Sequence, residues 1–156
     1  MSTNPLFVSG WEVTGIRSAE KFFSSLSGIL PLPVNLCFEG TSISKDVQTL
    51  FASNVATPTL QIAPGTIWPK PSVFHVRATE QFLHQLAALA GMHAEPEVCD
   101  HFHAYHETHG LMQWYDAFSG DPLLVNESIG EANLQSFIRK LKAQYVPWRA
   151  TKSDTA

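Results

Sequence analysis

The sequence has no run of about 20 apolar residues, the length that a membrane-spanning helix requires. It also has no basic residue before Arg17 and no long apolar stretch near its start, so no secretory signal is visible. Its only cysteines, Cys37 and Cys99, are far apart and follow no CxxC spacing, which argues against a disulfide framework or a cysteine-based zinc motif. These absences favour a soluble cytoplasmic protein with no membrane partner.

Lysine and arginine are absent from residues 78–138, although this stretch carries nine of the carboxylate residues and six of the seven histidines. Residues 139–152 then carry half of the ten basic residues. The net charge is -4, and phosphate contacts need a concentrated basic face, so nucleic acid is not expected as a partner. Because nearby carboxylates favour protonated imidazole, we predict a surface that binds a cation or a basic partner in a pH-dependent way. The alternative is that the basic last helix packs near the acidic region and neutralises it.

Periodic apolar residues and capping residues predict four helices, which begin near Ser18, Ser44, Thr79 and Ser128. Ser128 and Glu131 have the spacing of an S-x-x-E capping box. Alternating patterns predict strands over 33–39, 59–62, 72–77, 98–107, 111–118 and 123–125, with a hairpin turn around Gly110.

This order mixes helices and hairpins without a regular βαβ alternation, which indicates the α+β class. The chain of 156 residues is the size of one domain, and folding at this size buries roughly 70% of the unfolded surface. We therefore predict one domain over residues 1–148, with a mixed or mostly antiparallel sheet and helices packed on one face, and a disordered tail over 149–156.

The most chemically distinctive stretch is CDHFHAYHETHG, residues 99–110. On a strand, His101, His103 and Tyr105 point to one face, and Phe102 and Ala104 to the core. Two imidazoles in this arrangement can share a metal, but zinc needs three or four ligands. Local candidates for a further ligand are Cys99, Glu97 and His93, and a more distant candidate is Glu39.

Covalent catalysis by Cys99 with His101 as base is not favoured. Side chains at i and i+2 of a strand are nearly parallel and are poorly placed for a linear thiol-to-imidazole hydrogen bond. The favoured alternative to a metal site is a solvated or partly packed row of histidines.

A second constellation is QWYDAFSGDP, residues 113–122. In strand phase Trp114, Asp116 and Phe118 share a face, and an acid between aromatic rings can bind a cation or a sugar. We take Trp114, Asp116 and Tyr105 as the candidate ligand-binding residues. The alternative is that the aromatic residues are core and that Asp116 braces the turn at Gly120.

The proline-rich stretch 55–71 is predicted to be mainly loop. It contains Ile67 and Trp68, and large apolar residues in a loop either anchor it to the core or form part of a site. Because large aromatics prefer burial, we expect them to anchor the loop.

The sequence therefore predicts a binding or interaction protein that uses its acidic, His- and aromatic-rich hairpin, with a protein or a small ligand, cationic in character, as its partner. An enzymatic activity and a cofactor are not expected under this interpretation. The alternative is a hydrolase-like enzyme in which His101, His103 and Glu39 hold a divalent metal that activates water. A third interpretation is a structural or accessory subunit.

Overall fold

The computed structural model describes residues 5–151, which form one antiparallel sheet of seven strands with four helices packed on it. The strand order is β3-β2-β4-β5-β6-β1-β7. The strands are β1 (Ser9–Thr14), β2 (Val34–Gly40), β3 (Ser72–Ala78), β4 (His101–His106), β5 (His109–Trp114), β6 (Leu123–Asn126) and β7 (Gln144–Arg149). The helices are α1 (Ala19–Ser25), α2 (Lys45–Ala52), α3 (Glu80–Ala90) and α4 (Glu131–Leu141). The predicted α+β class is confirmed.

The four predicted helices are present, and side-chain caps explain where two of them begin. The Ser18 hydroxyl accepts the Lys21 N–H at the start of α1, and the Thr79 hydroxyl accepts the Phe82 N–H at the start of α3. The predicted capping box of α4 is wrong. Residues 127–129 form a short 3-10 turn, and the N-cap of α4 is Gly130.

The core lies between the helices and one face of the sheet, and it is rich in phenylalanine. Phe38 and Phe102 stand side by side on β2 and β4. Phe22 of α1 meets Phe102 edge to face, and Phe51 of α2 stacks on Phe38 at 4.3 Å between ring centroids. Such pairs add about 0.5–1.5 kcal/mol each beyond the area that they bury. The helices therefore cover this face and leave the opposite face to another element.

The loop over residues 53–71 covers that opposite face above β2 and β4. It has no helix or strand apart from a single bridge between Val55 and Val76, so the predicted strand over 59–62 is not formed. Its backbone and side chains are instead hydrogen-bonded to the sheet. The Thr59 hydroxyl donates to the Glu107 carbonyl at 2.7 Å, and the Tyr115 hydroxyl donates to the Ala63 carbonyl at 2.7 Å.

Two strands were not predicted, and they pair with each other. β1 lies between β6 and β7, and β7 forms one edge of the sheet. Arg149, the first residue of the predicted tail, ends β7, and the Ala150 N–H donates to the Val8 carbonyl at 2.8 Å. The rest of the predicted tail, from residue 152, lies outside the described residues.

Candidate functional site

The structure confirms the predicted phase of the His101–His103 strand but not its exposure. Phe102 and Ala104 face the core, and both histidines lie on the opposite face, each only 2% exposed. The histidines are therefore not a solvated row, because the loop 53–71 lies over His101 and the Tyr115 ring packs against His103. The loop approaches His101 closely at Gly65: a Cβ atom added to this glycine would come within 2.5 Å of the His101 ring.

Glu39 holds this loop on the sheet. It lies on β2 directly opposite His101 on β4, and it is 5% exposed. Its carboxylate accepts the backbone N–H of Gly65 at 3.0 and 3.1 Å and that of Thr66 at 2.8 Å. Because hydrogen bonds to a charged acceptor are stronger than those between neutral groups, the buried carboxylate is a strong anchor.

The hydrogen bonds of His101 define its protonation state. The Asp116 backbone N–H donates to Nδ1 at 2.9 Å, so Nδ1 carries no proton. The proton of the neutral ring is then on Nε2, where it donates to the Thr66 hydroxyl at 2.7 Å. The carboxylates of Glu39 and Asp116 lie 3.8 and 3.9 Å from the ring nitrogens, but a neutral ring makes no ion pair with them.

His103 is neutral for a different reason. Burial lowers the pKa of its imidazole to about 3, and the neighbouring His101 and His75 rings act in the same direction. Its Nε2 atom is buried without a hydrogen-bond partner among the described residues. The Tyr115 ring packs edge-on against it at 4.6 Å between centroids. His103 is thus a packed histidine beneath the loop.

Tyr105, a candidate ligand-binding residue, is fully buried, so its side chain lies on no exposed surface. Its hydroxyl is 2.7 Å from Nδ1 of His75, and Nε2 of that histidine is 3.7 Å from the Cys37 sulfur. Burial and the charge of Glu39 raise the pKa of the Cys37 thiol to about 12, so the thiol is protonated. This row of side chains joins β2, β3 and β4 by polar contacts.

Trp114 is also an interior residue, as the alternative interpretation of core aromatic residues expected, and it does not share a face with Asp116. β5 ends at Trp114, so the strand phase does not continue to Asp116. Trp114 is 2% exposed, it packs against Phe22 and Phe118, and its indole N–H donates to the Asp121 carbonyl at 2.8 Å. Of the three candidate ligand-binding residues, only Asp116 presents its side chain to solvent.

Asp116 belongs to an acidic cleft of about 350 Å³ beside His101. The cleft lies between the start of β4 and the turn that follows β5. No lysine or arginine lines the cleft. Its principal polar and aromatic lining residues are Thr66, Glu95, Asp100, Asp116, Phe118 and Ser119. The carboxylate of Asp100 accepts the backbone N–H and the hydroxyl of Thr41, whereas that of Asp116 is 63% exposed.

The turn that carries Asp116 is locally strained. Asp116 and Phe118 have φ values of 52° and 64°, in the left-handed region that side chains other than glycine rarely adopt. Asp tolerates this region well, whereas a bulky Phe does not. The turn brings the Asp116 N–H to His101 and leaves its carboxylate free at the cleft. Backbone strain of this kind is concentrated at functional sites.

The arrangement does not favour catalysis by the groups around the cleft. Both nitrogens of His101 are engaged, and the Ser119 hydroxyl donates to the Asp116 carbonyl. Burial raises the pKa of the Cys99 thiol strongly, so it is not a nucleophile. Within residues 5–151 no group of three or more His, Cys, Asp or Glu side chains is placed to hold a metal ion. The metal-dependent enzyme stays a hypothesis, for which the structure offers Glu39, His101 and His103 on one face of the sheet.

The acidic and basic residues, which are separated along the chain, are also separated in the folded structure. No lysine or arginine among residues 5–151 forms an ion pair, and the carboxylates that approach a ring nitrogen face His93 and His101. The last helix α4 packs against α1, and not on the cleft. Direct pairing between the basic helix and the acidic residues, the alternative considered above, is therefore not formed in the described part of the chain.

The expected anchoring of the loop by Ile67 and Trp68 is wrong. Their side chains are 76% and 85% exposed, and the loop is held to the sheet by the hydrogen bonds of Glu39, Thr59 and Tyr115. Glu39 was named as a candidate ligand, but its contact with the loop had no signal in the sequence. The same holds for Glu95 and Ser119, which enter the cleft from separate turns.

Comparisons with protein-family models, with curated proteins and with solved structures found no match to this chain. The class of protein is therefore described from its fold and its site alone. It is a single antiparallel α+β domain with a loop-covered polar face and an acidic cleft. In the described region no helix is long and apolar enough to cross a membrane.

Proposed function

We propose that this protein is a binding protein whose acidic cleft receives a cationic group, the guanidinium or ammonium of a basic side chain or of a small amine. The observation that carries the proposal is the cleft lining, which combines Glu95, Asp100 and Asp116 with no lysine or arginine. A cleft lined by charge of one sign focuses the field and concentrates ligands of the opposite sign.

The geometry also gives the cation specific contacts. The exposed carboxylate of Asp116 can pair with a guanidinium, and Phe118 lines the same cleft. The volume of about 350 Å³ accommodates one side chain or a small molecule and not a folded domain. A protein partner would therefore insert a basic side chain and make its other contacts on the surrounding surface.

The test is a titration of the isotopically labelled protein with arginine amide, followed by the amide resonances of Asp116, Ala117 and Ser119. The α-amine of both ligands is acetylated, and acetylated citrulline amide is the matched control, since it has the same shape without the guanidinium charge. We expect binding of arginine amide that weakens with added salt, and no binding of citrulline amide. Equal binding of the two would show that charge is not recognised and would contradict the proposal.

A matched pair of variants locates the site. Asp116→Asn removes the charge but keeps a residue that tolerates the left-handed conformation. Asp121→Asn removes an exposed charge that does not line the cleft. Because Asp116 is largely exposed and its attraction is screened, we expect Asp116→Asn to weaken binding about three- to fivefold. Asp121→Asn should bind as the unmodified protein does, and an equal loss in both variants would exclude this cleft.

A further inference from the structure

A second cleft, of about 450 Å³, is basic and lies away from the acidic cleft. It opens at the end of the β1–β7 pair, where Thr14 faces Gln144, and beside the start of α1 and the end of α4. Arg17, Lys21 and Lys142 line it, and no carboxylate does. We propose that this basic cleft binds the phosphate group of a small, soluble phosphomonoester.

The three cations come from two distant parts of the chain. Arg17 lies between β1 and α1, Lys21 is in the first turn of α1, and Lys142 ends α4. No described residue forms an ion pair with any of them. The nearest acidic residues in sequence are directed elsewhere: the carboxylate of Glu20 lies beside Gly91, and that of Glu131 accepts the Tyr145 hydroxyl. The fold thus brings three unneutralised charges to one cleft.

Helix electrostatics do not account for this convergence. Basic residues at the end of α4 complement the negative end of its dipole, which explains Arg139 and Lys140. The start of a helix, however, disfavours cations, and Arg17 and Lys21 are at the start of α1. Their placement therefore opposes local helix stability, which is understandable if an anion binds between them.

Lys142 supplies an independent indication. Its φ of 53° places it in the left-handed conformation that ends many helices and that glycine usually occupies. A side chain at this position is disfavoured by the backbone. A lysine thus stands where glycine would suit the backbone better, and it lines the cleft.

The lining groups suit a phosphomonoester better than a simple carboxylate. Three cations can neutralise a dianion, and a guanidinium forms two parallel hydrogen bonds with phosphate oxygens. The hydroxyls of Thr14 and Ser18 add hydrogen-bond donors, and Leu141 provides an apolar wall for the organic part of the ligand. The volume exceeds that of phosphate alone and falls in the range of small-molecule sites.

The probes are phenyl phosphate, a dianion near pH 7.5, and phenyl sulfate, a monoanion of nearly the same shape. Binding is followed by the amide resonances of Arg17, Lys21 and Lys142 at constant ionic strength. We expect phenyl phosphate to bind at least about tenfold more tightly than phenyl sulfate. Equal affinity for the two would indicate non-specific attraction and would overturn the proposal. Binding only to vesicles that contain phosphoinositides, with none to phenyl phosphate, would overturn the soluble ligand.

Lys142→Gly separates binding from folding. This variant removes one charge and relieves the left-handed lysine, so it should unfold at an equal or higher urea concentration. Its affinity for phenyl phosphate should nevertheless fall about tenfold, and Lys21→Gln should show a similar loss. Lys45→Gln, at an exposed position on α2, is the control and should bind normally. Unchanged affinity in both cleft variants would refute the site, whatever the outcome at the acidic cleft.

Discussion

Glu39 and His101 face each other across the β2–β4 pair, and both bind the same two residues of the loop above them. The Glu39 carboxylate accepts the backbone N–H groups of Gly65 and Thr66, and the His101 ring lies against Gly65 and bonds to the Thr66 hydroxyl. His101 in turn accepts the Asp116 N–H. The pair therefore fixes both the loop and the turn that borders the acidic cleft.

The first prediction concerns the carboxylate that holds the loop. Glu39→Gln replaces an acceptor by an amide whose NH₂ group cannot accept the loop N–H groups. Since hydrogen bonds to a buried charge contribute about 1.5–3 kcal/mol, we expect the free energy of unfolding to fall by about 2 kcal/mol. Urea denaturation measures this loss, and the amides of Gly65 and Thr66 should exchange with solvent faster than in the unmodified protein.

Glu107→Gln is the control for this variant. The Glu107 side chain is exposed, and only its backbone carbonyl contacts the loop, through the Thr59 hydroxyl. We expect its unfolding free energy to change by less than about 0.5 kcal/mol. If Glu39→Gln were no less stable than Glu107→Gln, Glu39 would not be the anchor of the loop.

The sequence predicts which side chains share a face of a strand, but it does not predict which other part of the chain covers that face. A strand alternates its side chains whatever lies above it, so the positions of Phe102 and Ala104 assigned His101 and His103 to the opposite face. The burial of that face depends on the loop 53–71, which is held by backbone N–H groups and has no periodic signal. The same alternation failed at Asp116, because a left-handed turn ends the strand before it.

The segregation of charge could be recognised in the sequence, but the location of the two clefts could not be predicted from it. The acidic cleft draws Glu95, Asp100 and Asp116 from one stretch without lysine or arginine. The basic cleft needs β1 and β7 to be adjacent, and neither strand was predicted. β7 contains Pro147, which lowers the strand signal and is tolerated because β7 is an edge strand.

The second prediction contrasts two tryptophans. Trp68 is 85% exposed on the loop, and Trp114 is buried in the core. We expect Trp68→Ala to change the unfolding free energy by less than about 0.5 kcal/mol, and Trp114→Ala to lower it by about 3–5 kcal/mol. Urea denaturation followed by circular dichroism tests both. A large loss in Trp68→Ala would show that Trp68 does anchor the loop.

The third prediction follows from the buried, neutral His103. Its pKa is about 3 in the folded state, against about 6.5 when the chain is unfolded. Below pH 6.5 the unfolded state therefore binds a proton that the folded state does not. The stability that this group contributes is complete above pH 6.5 and is lost as the pH falls toward 3. The slope from this residue is up to about 1.4 kcal/mol per pH unit between pH 6 and 4.

His103→Gln is the test of that slope, since it leaves a polar side chain that does not titrate. The unfolding free energy of this variant should vary less steeply between pH 6 and 4 than that of the unmodified protein. His75, whose pKa is also lowered by burial, contributes in the same direction in both proteins. Identical slopes in the two proteins would mean that His103 is protonated in the folded state.

The fourth prediction concerns His93 and Asp46, whose side chains approach to 2.8 Å and join the end of α3 to the start of α2. The hydrogen bond between them raises the pKa of His93 and lowers that of Asp46 to about 2. The stability from His93 is thus fully present below pH 6.5 and is lost as the pH rises through its raised pKa. An NMR titration should place the His93 midpoint above 6.5 and lower it in Asp46→Asn, with no such change in the control Asp121→Asn. A midpoint that Asp46→Asn leaves unchanged would rule out Asp46 as the cause.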